Sequence, residues 1–113
     1  MAFSENIHEN FTYNGVYETE VSMNTLEEAR KEIDAVDQEL VQLFERRFLA
    51  VKDVIAWKIE NGKEILDTSR EEAIVAKNKS RLAHPELTAY FEEWYRNMLA
   101  VSRKFQQDIK DSL

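Results

Sequence analysis

From Thr25 to Glu60 the chain runs without a glycine or a proline, and this stretch restricts the possible folds more than any other. Two apolar stripes cross it at alternating spacings of three and four. One passes through Leu26, Ala29, Ile33, Val36, Leu40, Leu43, Ala50, Val54 and Trp57, the other through Val41, Phe44, Phe48, Val51 and Ile55. That rhythm is the 3.6-residue period of an α-helix. Thr25 with Glu28 reads as a capping box, acidic residues in the first turn suit the helix dipole, and Asn61-Gly62 supplies the stop. A helix over 25–60 is about 50 Å long, more than a compact monomer of this size covers. Two stripes on such a rod predict a partner chain.

The rest of the chain is equally poor in turn-formers. Two glycines and one proline in 113 residues point to a few long helices, not to many short strands. After a short loop at Lys63–Asp67, Thr68 or Asp67 can cap a second helix with Glu71 in its first turn and Ile74, Val75 and Leu82 as its apolar positions. His84-Pro85 breaks that helix, and Pro85 suits the first position of a third. The third carries Leu87, Phe91, Trp94, Met98, Val101, Phe105 and Ile109 at helical spacing. The expectation is an all-α domain over residues 25–113, a three-helix chain arranged long–short–long. Residues 1–24 read as an N-terminal extension, either disordered or a short hairpin turning at Asn14-Gly15.

Charge and residue content narrow the function. With 22 acidic against 15 basic side chains, the net charge is −7, which argues against nucleic acid as a partner, since phosphate contact needs clustered Lys and Arg. The absence of cysteine removes disulfides, thiol nucleophiles and thiolate metal sites. Two histidines, His8 and His84, give poor support to a metal centre. No apolar run approaches the roughly 20 residues of a membrane span, and no signal segment opens the chain, so cytoplasmic residence is expected.

The informative positions are polar residues where the period asks for carbon. Arg47 falls between Leu43 and Ala50 on the first stripe, and Lys58 follows Ile55 on the second. Eleven residues apart, they leave the helix within roughly 20° of each other and about 16 Å apart along it. Two such side chains can close on one small anion; alternatively their stems pack while their heads reach solvent. Asp67, Arg70 and Glu71 share one turn, as site residues or as an ordinary cap with a solvated ion pair. Ser102 and Gln106, spaced i, i+4, continue an inner edge through Tyr95 and Leu99, or are simply exposed. Arg30 lies about 25 Å along the rod from Arg47. It belongs to the same site only if an antiparallel second subunit supplies it; otherwise it pairs with Asp34 or Asp37.

Taken together, "LEEARKEIDAVDQELVQLFERRFLAVKDVIAWK", "ILDTSREEAIV" and "SRKFQ" resemble the all-helical chorismate mutases, over residues 25 to about 110. The shared features are an Arg early in helix one, an Arg and a Lys 11 apart, D-x-x-R-E after the loop and S-x-x-x-Q on the last helix. The resemblance implies an intertwined antiparallel homodimer with two equivalent sites, no cofactor and no metal. It implies an isomerase that rearranges chorismate to prephenate in the shikimate pathway to aromatic amino acids, and it allows association with another enzyme of that pathway. Arg30 of the partner subunit would enter a pocket lined by Arg47, Lys58, Asp67, Arg70, Glu71, Ser102 and Gln106. By this likeness Arg30 and Arg47, with Ser102 assisting, take the substrate's carboxylates, while Lys58 and Gln106 donate to the ether oxygen. Glu71, helped by Asp67, takes the ring hydroxyl and Arg70 adds positive field. An isochorismate pyruvate lyase on the same fold, or a non-catalytic helical dimerisation module, are the competing readings.

Overall fold

The computed structural model describes residues 23–113, so the predicted hairpin at Asn14-Gly15 lies outside the described residues. Three α-helices follow in order: α1, Met23–Glu60; α2, Thr68–Lys79; and α3, Thr88–Asp111. This is the long–short–long pattern expected, and no strand occurs among the described residues. The chain divides into two units, Met1–Glu45 and Arg46–Leu113, with the division inside α1.

The helix ends refine the sequence reading. Among the described residues α1 runs from Met23, so Thr25 stands inside the helix. Glu27 and Glu28 then fall in the second turn, and none of the first-turn residues is acidic. The C-terminus is as anticipated: Gly62 adopts φ +65°, its N–H bonds the Ile59 carbonyl at 3.4 Å and Lys63 N–H bonds the Lys58 carbonyl at 2.9 Å. This paired closure by a left-handed glycine is a Schellman motif.

Asp67 caps α2, accepting from the Arg70 backbone N–H at 3.1 Å. α2 is shorter than predicted. The Ser80 hydroxyl bonds the Lys77 carbonyl at 2.6 Å and the following N–H groups step back three residues to Asn78 and Lys79. Local side-chain competition of this kind tightens and ends a helix, which leaves Leu82 beyond it. Pro85–Leu87 form a 3-10 turn, closed by Leu87 N–H to the His84 carbonyl. Pro85 therefore opens that turn, and α3 starts at Thr88.

Within the unit 46–113 the core joins Val75 of α2 to Tyr95 and Leu99 of α3, with Ile74, Phe91 and Met98 packed against it. The α1 residues Phe48, Val51 and Ile55 are also buried, and the Phe48 and Phe105 rings meet at 5.3 Å. Those three belong to the second apolar stripe. From the first stripe, Leu26, Ile33, Val36, Leu40, Leu43, Val54 and Trp57 are all exposed. On α3 the buried line is Tyr95, Leu99, Ser102 and Gln106, while Leu87, Trp94 and Val101 of the predicted stripe are exposed. The helix is thus turned so that its polar-ended edge faces inward.

Candidate functional site

Arg47 and Lys58 sit on the part of α1 that belongs to the second unit, and both are half-buried. Neither head reaches freely into solvent. Arg47 Nη2 donates to the Tyr95 hydroxyl at 3.4 Å, with the guanidinium 5.9 Å from the ring centroid. The same hydroxyl accepts from Asn78 Nδ2 at 3.0 Å. Lys58 Nζ donates to the Ile65 carbonyl at 2.6 Å, which ties the α1–α2 loop to the end of α1. Among the described residues no carboxylate pairs with either cation. Partial burial raises the cost of an uncompensated charge, so both positions favour an anion.

The α2 residues divide between two tasks. Asp67 is exposed and acts as a cap; its carboxyl lies below the ordinary 3.8, first through the Arg70 N–H and then through the Ser69 hydroxyl, with Lys58 and Arg70 adding a smaller electrostatic pull. The Arg70 side chain is exposed. Glu71 turns away from both: Arg103 Nη1 bonds its two oxygens at 2.5 and 2.7 Å. Its neighbour Glu72 is held by Arg96 at 2.9 and 3.0 Å, which draws its carboxyl below the ordinary value. Glu92, bonded by Lys79 and Arg96, is lowered likewise.

Ser102 and Gln106 are the two buried polar residues among those described, 4% and 6% exposed. Gln106 Nε2 makes a long bond of 3.3 Å to the Ser102 carbonyl, and its Oε1 has no partner among the described residues. A buried polar atom without a partner is uncommon in native structures.

Of the eight residues expected from the sequence, five are drawn inward within residues 46–113: Arg47, Lys58, Glu71, Ser102 and Gln106. Asp67 and Arg70 lie at the exposed start of α2, and Asp67 meets Arg70 through its backbone N–H, not its side chain. Arg30 is exposed in the other unit, and no ion pair to Asp34 or Asp37 occurs among the described residues. Asn78 and Arg103, and the bonds that Tyr95 makes, were not anticipated, because the partners lie 17 to 48 positions away. An open basin of about 380 Å³ lies between Glu64–Leu66 and the α3 residues Arg103, Lys104, Gln107 and Lys110; none of the eight lines it. Among the described residues no group of three or more His, Asp or Glu is placed to hold a metal ion. No helix there is long and apolar enough to cross a membrane.

A family model described as chorismate mutase type II matches residues 29–107, a span that contains all eight candidate residues. No curated protein and no solved structure matches the chain.

Proposed function

The chain belongs to the chorismate mutase type II family, and from that premise we propose that it converts chorismate to prephenate. The observation that carries the reading is the pair of half-buried cations on α1, Arg47 and Lys58, neither of which makes an ion pair among the described residues. A dicarboxylate substrate provides the missing counter-charge. The chain's net charge of −7 is no obstacle, because a local positive field can oppose the global sum.

The rearrangement is pericyclic: the ether C–O bond breaks as a C–C bond forms, and no proton changes hands. The protein has two tasks, to hold the reactive diaxial conformer and to stabilise the charge that grows on the ether oxygen. Arg47 binds one carboxylate through its guanidinium fork. Lys58 keeps two N–H donors beyond its bond to Ile65, and with the Gln106 amide it donates to the ether oxygen. Gln106 suits this because its bond to the Ser102 carbonyl is long and is readily exchanged for a charge-assisted one. Ser102 assists at a carboxylate, Glu71 accepts the ring hydroxyl, and Asp67 and Arg70 shape the field at the mouth.

A second copy of the chain completes the site in this reading. The exposed first stripe of α1, from Leu26 to Trp57, forms a long apolar surface of the kind that marks an interface. An antiparallel partner laid along it delivers Arg30 to the substrate's other carboxylate, giving a homodimer with shared sites.

The deciding experiment supplies chorismate and isochorismate in parallel. Prephenate from chorismate is the expected product. Pyruvate from isochorismate, with chorismate untouched, identifies a lyase, and no turnover of either leaves a non-catalytic dimerisation module.

A further inference from the structure

Arg103 is absent from the set that the resemblance implies, yet it makes the closest side-chain contact to any member of that set. One guanidinium nitrogen sits between both oxygens of Glu71, at 2.5 and 2.7 Å. The pair is sheltered: its side chains are 34% and 20% exposed, against 75% and 65% for the surface pair Lys104–Asp108. Screening by solvent and salt is therefore weaker here.

The simplest explanation, a staple between α2 and α3, is already supplied by other residues. Glu72, Arg96, Glu92 and Lys79 form a continuous ion-pair network between these helices, and Val75, Tyr95 and Leu99 pack beneath it. Arg103 also has a particular address. It follows buried Ser102 directly and precedes buried Gln106 by one turn, so it rises from the segment that carries the polar edge of α3.

Charge gives the contact its meaning. A free Glu71 carboxylate would repel a dianion approaching Arg47 and Lys58. With one nitrogen bridging its oxygens, that negative charge is cancelled, while the outer lone pairs stay free to accept a hydroxyl hydrogen. We propose that Arg103 is a positioning residue for Glu71: it neutralises the carboxylate toward the dianionic substrate and aims it at the ring hydroxyl. This rests on the chorismate reading of the same site.

The test is a suppression experiment with chorismate as substrate. Arg103→Ala is expected to raise KM about tenfold while kcat stays within about threefold, since the lost interaction acts on the bound and reacting substrate alike. Glu71→Gln removes the repelling charge, so Arg103→Ala introduced into that background should move KM by less than about threefold. Arg103→Lys keeps the charge on a shorter side chain with a different head and should fall between wild type and Arg103→Ala. It also serves as the measured variant should the alanine chain fail to fold, with the same suppression expected. Penalties that multiply in the double variant, or an unchanged KM in the single ones, overturn the assignment. A wild-type chain that leaves chorismate untouched overturns the underlying reading instead, so the two failures are told apart.

Discussion

Replacing Gln106 by methionine should cost activity and leave stability intact or improved. The side chain is 6% exposed, its Oε1 has no partner among the described residues, and its Nε2 reaches the Ser102 carbonyl at 3.3 Å, longer than the usual 2.9–3.0 Å. A buried, unsatisfied carbonyl costs about 1–3 kcal/mol, and a bond of this length returns at most about 1 kcal/mol. Methionine has nearly the same length and a flexible apolar thioether, so the substitution removes the penalty without opening a void. The balance runs from neutral to about 2 kcal/mol of stabilisation. For a domain of this size each kcal/mol moves the thermal midpoint by roughly 4–8 °C. Turnover moves the other way: loss of a donor to the ether oxygen is worth about a hundred- to a thousandfold in kcat. Circular-dichroism melts at one fixed protomer concentration, beside the decay of chorismate absorbance, measure both quantities. A methionine variant destabilised by more than about 1 kcal/mol, or one that keeps kcat within about tenfold, would refute the idea that this amide is held in reserve for a ligand.

Three further outcomes are expected. Lys58→Ala and Arg47→Ala should each lower kcat/KM by about a hundredfold or more while sedimentation still shows a dimer; a monomer would make these residues structural. Mixing Arg30→Ala with Lys58→Ala chains, each inactive alone, should restore about a quarter of wild-type activity, because half the dimers are mixed and each has one whole site of two. No recovery after subunit exchange removes Arg30 from the shared site. Stability should be flat above pH about 4.5 and fall below it, since Asp67, Glu72 and Glu92 all lie below their ordinary values of 3.8, 4.5 and 4.5. Groups with lowered values stabilise the fold while ionised and lose that contribution as pH falls through them. Urea midpoints that are unchanged from pH 6 to 3 would contradict these contacts.

What the residues declare on their own is local. The unbroken three–four rhythm, Gly62 past the end of α1 and Asp67 before α2 each act within a turn or two, so the helices and most of their ends follow from neighbours in sequence. Arg47 and Lys58 stand out in the sequence because they interrupt an apolar period, and both are half-buried. Which face of each helix turns inward was legible only in part, since α3 offered both an apolar stripe and an inner edge through Tyr95, Leu99, Ser102 and Gln106. On α3, Trp94 and Val101 of the apolar stripe are exposed and Phe91, Met98 and Phe105 half-buried, while Tyr95, Leu99, Ser102 and Gln106 are buried. Period alone cannot rank two adjacent stripes on one helix; that ranking comes from what packs against them, here Val75 of α2 against Tyr95 and Leu99. The same holds for Arg103 and Glu71, 32 positions apart, and for Arg47 and Tyr95, 48 apart. Such pairs exist only once helices dock, so only tertiary structure selects which charges are cancelled and which are left waiting for an anion.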